Sequence, residues 1–356
     1  MLMKWQTALM MGALAPLLVL VSEAEAQRRV EINATTRCNA CAVELKTVAT
    51  LQGAGAPASF PALVRLARNS KGWYAASAST FVGELFVFSA DGRFRSAVGR
   101  RGEGPGEFAR EQLLMFDAHD SLHAIAMGGG RYSVLEPSLN RVARSSAITA
   151  RVMDARLAGN GRFFALAPTV AATGSYVLQV LGSDGGRVLS FDEVPPGASG
   201  QLALGRALAI DAQGGLWSGA FGAYHLRSWD AGGRLRLEAV GRRSWFQPSS
   251  SDPSAARRTG LPVQLGGIEF DEEGLLWLFF LIPTIQGDAS SSSRAGPGPV
   301  SFSTVIEVLD PRDMQLLATG RYPRLLLPFQ RGLAYSVEDA PSGETDVRIV
   351  SLRLRK

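Results

Sequence analysis

The chain repeats itself at long period. Short polar breaks follow alternating apolar runs in FVFSADGRF, VLEPSLNRV, VLGSDGGRV and SWDAGGRLR, centred on Asp91, Pro137, Asp184 and Asp230. Their separations are 46, 47 and 46 residues. A fifth break, in VLDPRDMQL at Asp310, comes 80 residues further on, after a stretch rich in Ser, Pro and Gly. A second series of breaks precedes aromatic or apolar runs: NSKGWYAAS, HDSLHAIA, GNGRFFALA, AQGGLWSGA and EEGLLWLFF. Asp-Gly and kindred dipeptides between such segments make hairpin turns, because they supply the positive φ those turns need. Two hairpins per unit give four short strands.

A period in the forties with four strands per unit is the signature of a β-propeller. One four-stranded sheet cannot bury both of its faces. Set radially, neighbours cover each other, and closing the ring removes the open edges. The units begin near Phe60, Glu107, Ala150, Gly200, Gly260 and Leu325. The sixth, with GLAYSVED and VRIVSLRLR, ends one strand short, while a strand-like segment, AVELKTVATL at Ala42 to Leu51, precedes the first unit. The expectation is an all-β, six-bladed propeller of four-stranded antiparallel blades, with this N-terminal strand closing the last blade. No 3.6-residue period is sustained after the leader, so helix should be nearly absent.

The leader is a secretory signal. Lys4 precedes an apolar run from Ala8 to Val21, and Ala24-Glu25-Ala26 fits a small-x-small cleavage pattern. The run is too short for a membrane span. The chain thus divides into a signal at 1–26, an N-terminal segment with a CxxC pair and the closing strand at 27–58, and the propeller at 59–356. Cleavage near Ala26 would deliver a secreted or periplasmic protein beginning at Gln27. No later stretch reaches the roughly 18 apolar residues that a span requires. Loss of Lys4, Glu23 and Glu25 takes 37 basic and 32 acidic residues to 36 and 30. This excess is spread without a run of five like charges, which argues against nucleic acid as a partner. A monomer is expected.

Cys38 and Cys41, in RCNACAVEL, admit a local disulfide clip, a redox pair or half of a metal site. Ala42 stands where a haem motif needs histidine. A zinc site needs about four ligands, and His119, His123 and His225 are far away in sequence. The clip is the preferred reading, with no metal and no cofactor expected.

GRRGEGPGEF, from Gly99 to Phe108, invites a phosphate-binding reading. No Gly-Lys-Ser/Thr follows it, and strand rather than helix is expected on both sides, so it reads as a corner between units. The longer stretch FSADGRFRSAVGRRGEGPGEF resembles the inter-blade connection of NHL-type six-bladed propellers, of the TolB-like superfamily. There a G-x-G-x-G-x-F arrangement follows a strand opened by a D-G turn. Later units keep the turns and lose the glycines. The resemblance implies roles from binding of proteins, peptides or RNA to catalysis, and therefore assigns no activity.

Loop lengths suggest where a ligand would sit. Turns between strands one and two, and three and four, are tight (SKG, HDS, GNG, ADG, SDGG) and share one face of the disc. The opposite face carries STFVGE, APTVAATGSY, QPSSSDPSAARRTG, PTIQGDASSSSRAGPGPV and EDAPSGETD, and long loops on a rigid scaffold concentrate function. Arg65, Arg110, Arg151, Arg206, Arg258 and Arg331 recur near the innermost strands, and a channel lined by them would suit a carboxylate, a phosphate or an acidic peptide. Trp73, Trp217 and Trp277 fall at matching places in their units, as packing residues between blades. No G-x-S-x-G elbow occurs. The expected function is a non-enzymatic exported propeller that binds a peptide, a protein or a small anion on the long-loop face. A metal-assisted hydrolase or lactonase of the same fold is the alternative, and a structural envelope component a third.

Overall fold

The computed structural model describes residues 28–52, 56, 60–81, 83–171, 174–194, 201–246, 262–285, 300–340 and 343–356. The expected signal, Arg258 and the loops at 247–261 and 286–299 lie outside the described residues. Two strands precede the first blade: β1 (Arg28–Ile32) and β2 (Ala42–Leu51). Blade 1 is β3 (Arg65–Arg68), β4 (Tyr74–Ser77), β5 (Leu85–Phe88) and β6 (Phe94–Val98). Blade 2 is β7 (Gln112–Phe116), β8 (Leu122–Ala126), β9 (Gly130–Leu135) and β10 (Val142–Ile148). Blade 3 is β11 (Asp154–Leu157), β12 (Phe163–Ala171), β13 (Gly174–Leu181) and β14 (Arg187–Glu193). A single helical turn, α1 (Gln201–Leu204), leads into blade 4, made of β15 (Arg206–Ile210), β16 (Leu216–Ala220), β17 (His225–Trp229) and β18 (Leu235–Gly241). Blade 5 is β19 (Gln264–Phe270), β20 (Leu276–Ile285), β21 (Val300–Asp310) and β22 (Gln315–Tyr322). Blade 6 is β23 (Leu327–Gln330), β24 (Leu333–Asp339) and β25 (Thr345–Arg355), with β2 as its outermost strand.

The innermost strands β3, β7, β11, β15, β19 and β23 touch in that order, and β23 returns to β3 to close the ring. Each seam between blades holds its own apolar cluster. Strand alternation produces this. In β20, Leu276, Leu278 and Phe280 face blade 4, whereas Trp277 and Phe279 face blade 6. A blade is thus buried on both sides, which is why LLWLFF reads as a continuous apolar run rather than an alternating one. Each such large side chain contributes about 1.5–3 kcal/mol on burial.

The two ends of the chain finish blade 6 together. β2 runs antiparallel to β25 from Ala42 opposite Arg355 to Leu51 opposite Val347. Just beyond, the Gln52 N–H donates to Gly92 O at 3.0 Å and the Phe94 N–H donates to Gln52 O at 2.8 Å, which binds the closing strand to blade 1. An additional strand was not legible in the sequence: β1 adds to blade 4 as a fifth member, parallel to β18. RRVEI is short and charged, and among its residues only Ile32 is fully buried. Between β1 and β2 the chain crosses the rim of blade 5, where the Arg37 N–H donates to Leu316 O at 2.8 Å and its guanidinium pairs with Asp313 at 3.1 Å. Residues 28–52 therefore strap blades 4, 5 and 6. Cys38 and Cys41 form a disulfide within that strap.

GRRGEGPGEF joins β6 to β7 and is a corner. The Glu107 carboxylate occupies its centre, accepting the Gly104 N–H and the Arg100 Nε–H, each at 2.8 Å. The Gly104 N–H, which could have met an external anion, is spent on this internal carboxylate. The Gly104 amide and then Arg100 hold Glu107 below the usual carboxylate range. Gly99 has φ 95°, and a Cβ there would meet the Phe108 ring at 2.4 Å, so only glycine lets the buried Phe108 fold back.

One of the long loops expected from sequence is a ladder instead. In APTVAATGSY, Thr169, Val170 and Ala171 pair with Tyr176, Ser175 and Gly174, so β12 and β13 continue as a protruding hairpin. A register shift between Leu166 and Thr169, around Pro168, hides the alternation.

Candidate functional site

A cavity of about 740 Å³ opens at the mouth of the central channel. Its wall is made by the ends of the innermost strands and by the turns that follow them, at 116–118, 158–160 and 211–214. It therefore lies on the short-turn face, opposite the face expected from loop lengths. Tight turns set this rim. Asp117 Oδ1 accepts the N–H groups of His119 and Ser121, and Asp211 Oδ1 accepts those of Gln213 and Gly215. The second oxygen of each carboxylate accepts from a ring six positions on: His123 Nε2 at 3.2 Å and Trp217 Nε1 at 3.3 Å. Asp271 does the same for Trp277 Nε1 at 2.8 Å. These carboxylates are saturated by their own turns.

The equivalence expected for three tryptophans holds for Trp217 and Trp277 and shifts in blade 1. Trp73 follows its turn residue Asn69 by four positions, not six, and lies beneath the Arg95 guanidinium at 4.0 Å. In blade 2 the place belongs to His123. Burial lowers the affinity of His123 for a proton despite Asp117, so the ring sits as a neutral link between Asp117 and the Tyr132 hydroxyl, 2.7 Å away.

Two charged side chains of the cavity come from inner-strand positions, each two residues before the start of a tight turn. Arg156, on β11, donates through Nη1 to Asp154 Oδ1 at 2.7 Å and to Ala155 O at 2.8 Å. Its Nε is buried and has no hydrogen-bond partner among the described residues. Glu269, on β19, is 5% exposed, and its Oε1 accepts the Phe270 N–H at 3.0 Å. It makes no ion pair among the described residues. Burial pushes the Glu269 carboxyl up to about 7, against the pull of Arg156, the Phe270 amide and Arg331. Gln330 completes the rim. Its side chain donates to Arg68 O at 2.8 Å and accepts the Arg68 N–H at 2.7 Å, locking blade 6 to blade 1.

The six arginines singled out in the sequence do not form one ring. Arg331 borders the cavity, directly after β23. Arg65 lies at the other end of its strand, paired with Glu111 at 2.8 Å. Burial lowers its proton affinity, but Asp154 and Glu111 outweigh that and hold the guanidinium above its ordinary value. Arg206 is buried against Asp192 at 3.1 Å and donates to the carbonyls of Ala203 and Gly205. That network continues through Arg227 to Asp192 and Glu238, with His225 at 2.7 Å from Glu238. Arg110 and Arg151 are exposed, and Arg258 is outside the described residues. Arg156 escaped the sequence reading. A signal was available: at the register two before the turn, Ala67, Met115, Arg156 and Glu269 all border the cavity, and only two of them carry charge.

Among the described residues, no group of three His, Cys, Asp or Glu side chains could hold a metal ion. No helix among them is long and apolar enough to cross a membrane.

Residues 78–127 match a family model described as a 6-bladed beta-propeller (DUF5128). The match runs from the end of β4 through GRRGEGPGEF to the end of β8. No curated protein matches the chain. Among solved structures it is similar to a Bacteroides fragilis protein described as exported, 10% identical with a TM-score of 0.59 over 92% of this chain and 99% of that one. It is also similar to a member of the DUF4221 family from Bacteroides vulgatus, 11% identical with a TM-score of 0.58 over 88% and 99%. Identities this low speak for the fold alone. The fold is a six-bladed β-propeller.

Proposed function

We propose that this propeller is an exported binding protein, not an enzyme, and that it holds an anionic group of its ligand at the channel mouth on the short-turn face. The observation that carries the reading is the pair of guanidinium groups at this cavity, Arg156 and Arg331, of which Arg331 makes no ion pair among the described residues. A bound oxyanion would give Arg331 the charge-assisted hydrogen bonds it lacks. Glu269 supports the same reading. With its carboxyl pushed up to about 7 it is half-protonated near neutrality, and a bound anion would favour the protonated, donating form further. A peptide, a protein or a small anion would supply the anionic group. The short leader and the exported neighbour of the same fold support export.

Calorimetric titration with N-acetylalanine, acetate and phosphate tests the reading. Binding should weaken with salt and be lost in R156Q/R331Q while the melting temperature holds. Equal binding by wild type and the double variant would refute it. Mass spectrometry of the secreted protein should show an N-terminus at Gln27.

A further inference from the structure

A second hollow, of about 800 Å³, lies on the same face between blades 4 and 5. Asp211, Ala212 and Gln213 border both it and the channel mouth, so the two meet over a single turn. Building on the channel-mouth reading, we infer that the ligand is an extended peptide whose C-terminal carboxylate sits by Arg156 and Arg331 while its preceding residues cross the 211–214 turn into the blade 4/5 groove.

The groove's chemistry selects this class of ligand. Its blade 4 wall carries Arg28 and Arg236, and its blade 5 wall carries the Asp310–Arg312 ion pair and, at an exposed turn, Glu272 and Glu273. Neither glutamate nor Arg236 makes an ion pair among the described residues. A nucleic acid or polyphosphate would be repelled by the acidic wall. A glycan would need an open aromatic face, whereas Trp217, in the groove floor, is 5% exposed and packs its edge on Phe270 at 5.8 Å. A small free anion would use the basic wall alone. A peptide uses all of it: backbone amides for both walls, a basic side chain for Glu272 and Glu273, and apolar side chains on the floor. Strand ends and turns of all six blades ring the channel mouth, which the groove reaches over one turn. A chain entering from the groove brings its C-terminal carboxylate to Arg156 and Arg331, the anionic group that a peptide of any sequence carries.

The mature full chain can be tested by fluorescence polarisation with a lysine-containing hexapeptide labelled at its N-terminus, as free acid and as amide, and with N-acetylalanine as competitor. The free acid should bind at least tenfold more tightly than N-acetylalanine, and the amide at least tenfold more weakly than the acid. E272Q/E273Q should remove the length-dependent gain and leave N-acetylalanine binding unchanged. No gain with length, a gain untouched by E272Q/E273Q, or equal binding of acid and amide would overturn the peptide inference while the anion site stands. Failure of N-acetylalanine alone overturns the peptide inference; if N-acetylalanine, acetate and phosphate all fail to bind wild type, the channel-mouth reading falls and takes this inference with it.

Discussion

Arg243 and Glu307 meet at 2.6 Å in the seam between blades 4 and 5, each almost wholly buried. The Tyr224 hydroxyl donates to the other Glu307 oxygen at 2.5 Å, and the same guanidinium reaches the carbonyls of Ile32 and Asn33 at the end of β1. Burial and then Glu307 hold the Tyr224 hydroxyl far above its ordinary range, so it remains a donor. One carboxylate therefore ties two blades and the N-terminal strap together. Removing it leaves a buried cation, at a cost of about 3–5 kcal/mol, whereas replacing both charges by apolar groups is often close to neutral. In urea, E307A should lose that amount and R243M/E307L clearly less. An E307A variant within 1 kcal/mol of wild type would show that the triad does not hold the seam.

The strap makes a graded prediction. Deleting residues 27–33 removes β1 and the buried Ile32, worth about 1.5–3 kcal/mol, and leaves the ring closed. Deleting 27–52 removes β2, exposes the edge of β25 and takes Ala49 and Leu51 out of the seam between blades 6 and 1. The shorter deletion should melt cooperatively at a lower temperature. The longer one should lose the cooperative transition in circular dichroism. C38S/C41S, which opens a very small loop, should cost no more than about 2 kcal/mol.

Six blades, their starts and the closing role of Ala42 to Leu51 were legible because turn chemistry recurs at nearly constant spacing, and spacing survives when side chains vary. β1 was not legible. Parallel addition to an edge leaves no turn, and RRVEI has only one buried position to betray it. The candidate cavity was legible least of all. Loop length pointed to the opposite face, two of whose loops lie outside the described residues, and tight turns such as 211–214 need no length to wall a cavity, since Asp211 fixes their shape from within. Arginine recurrence likewise drew attention to Arg206, which is consumed by Asp192, and away from Arg156.

Asp271 tests the turn logic. Its carboxylate accepts the Leu275 N–H and the Trp277 indole N–H, both at 2.8 Å, and Trp277 has no exposed surface. D271A would strand that indole donor in the seam between blades 5 and 6. An unsatisfied buried group costs about 1–3 kcal/mol, and hydrogen bonds to a charged acceptor lie at the upper end. D271A should therefore lose about 2–4 kcal/mol. D230A, whose half-buried turn carboxylate accepts, among the described residues, only the Gly232 and Arg234 N–H groups, should lose under half as much. Equal losses from the two would assign the effect to the turn alone.

Glu269 gives the chain a pH signature opposite to that of an ion-paired carboxylate. Its folded value, about 7, lies above the 4.5 of an ordinary glutamate because burial disfavours its charge more than Arg156 and Arg331 favour it, with Asp154 adding repulsion. Between those values the folded state holds a proton that the unfolded chain has released. Stability therefore falls as pH rises from about 4.5 through about 7, by an amount on the order of 3 kcal/mol, and levels off above. E269Q keeps the shape, removes the titration and should flatten that limb of a urea midpoint plotted against pH, while the limb below pH 4, set by paired acids such as Asp117 and Glu107, stays in place. If wild type and E269Q lose stability in parallel between pH 5 and 8, Glu269 is charged throughout that range and cannot donate to a bound anion.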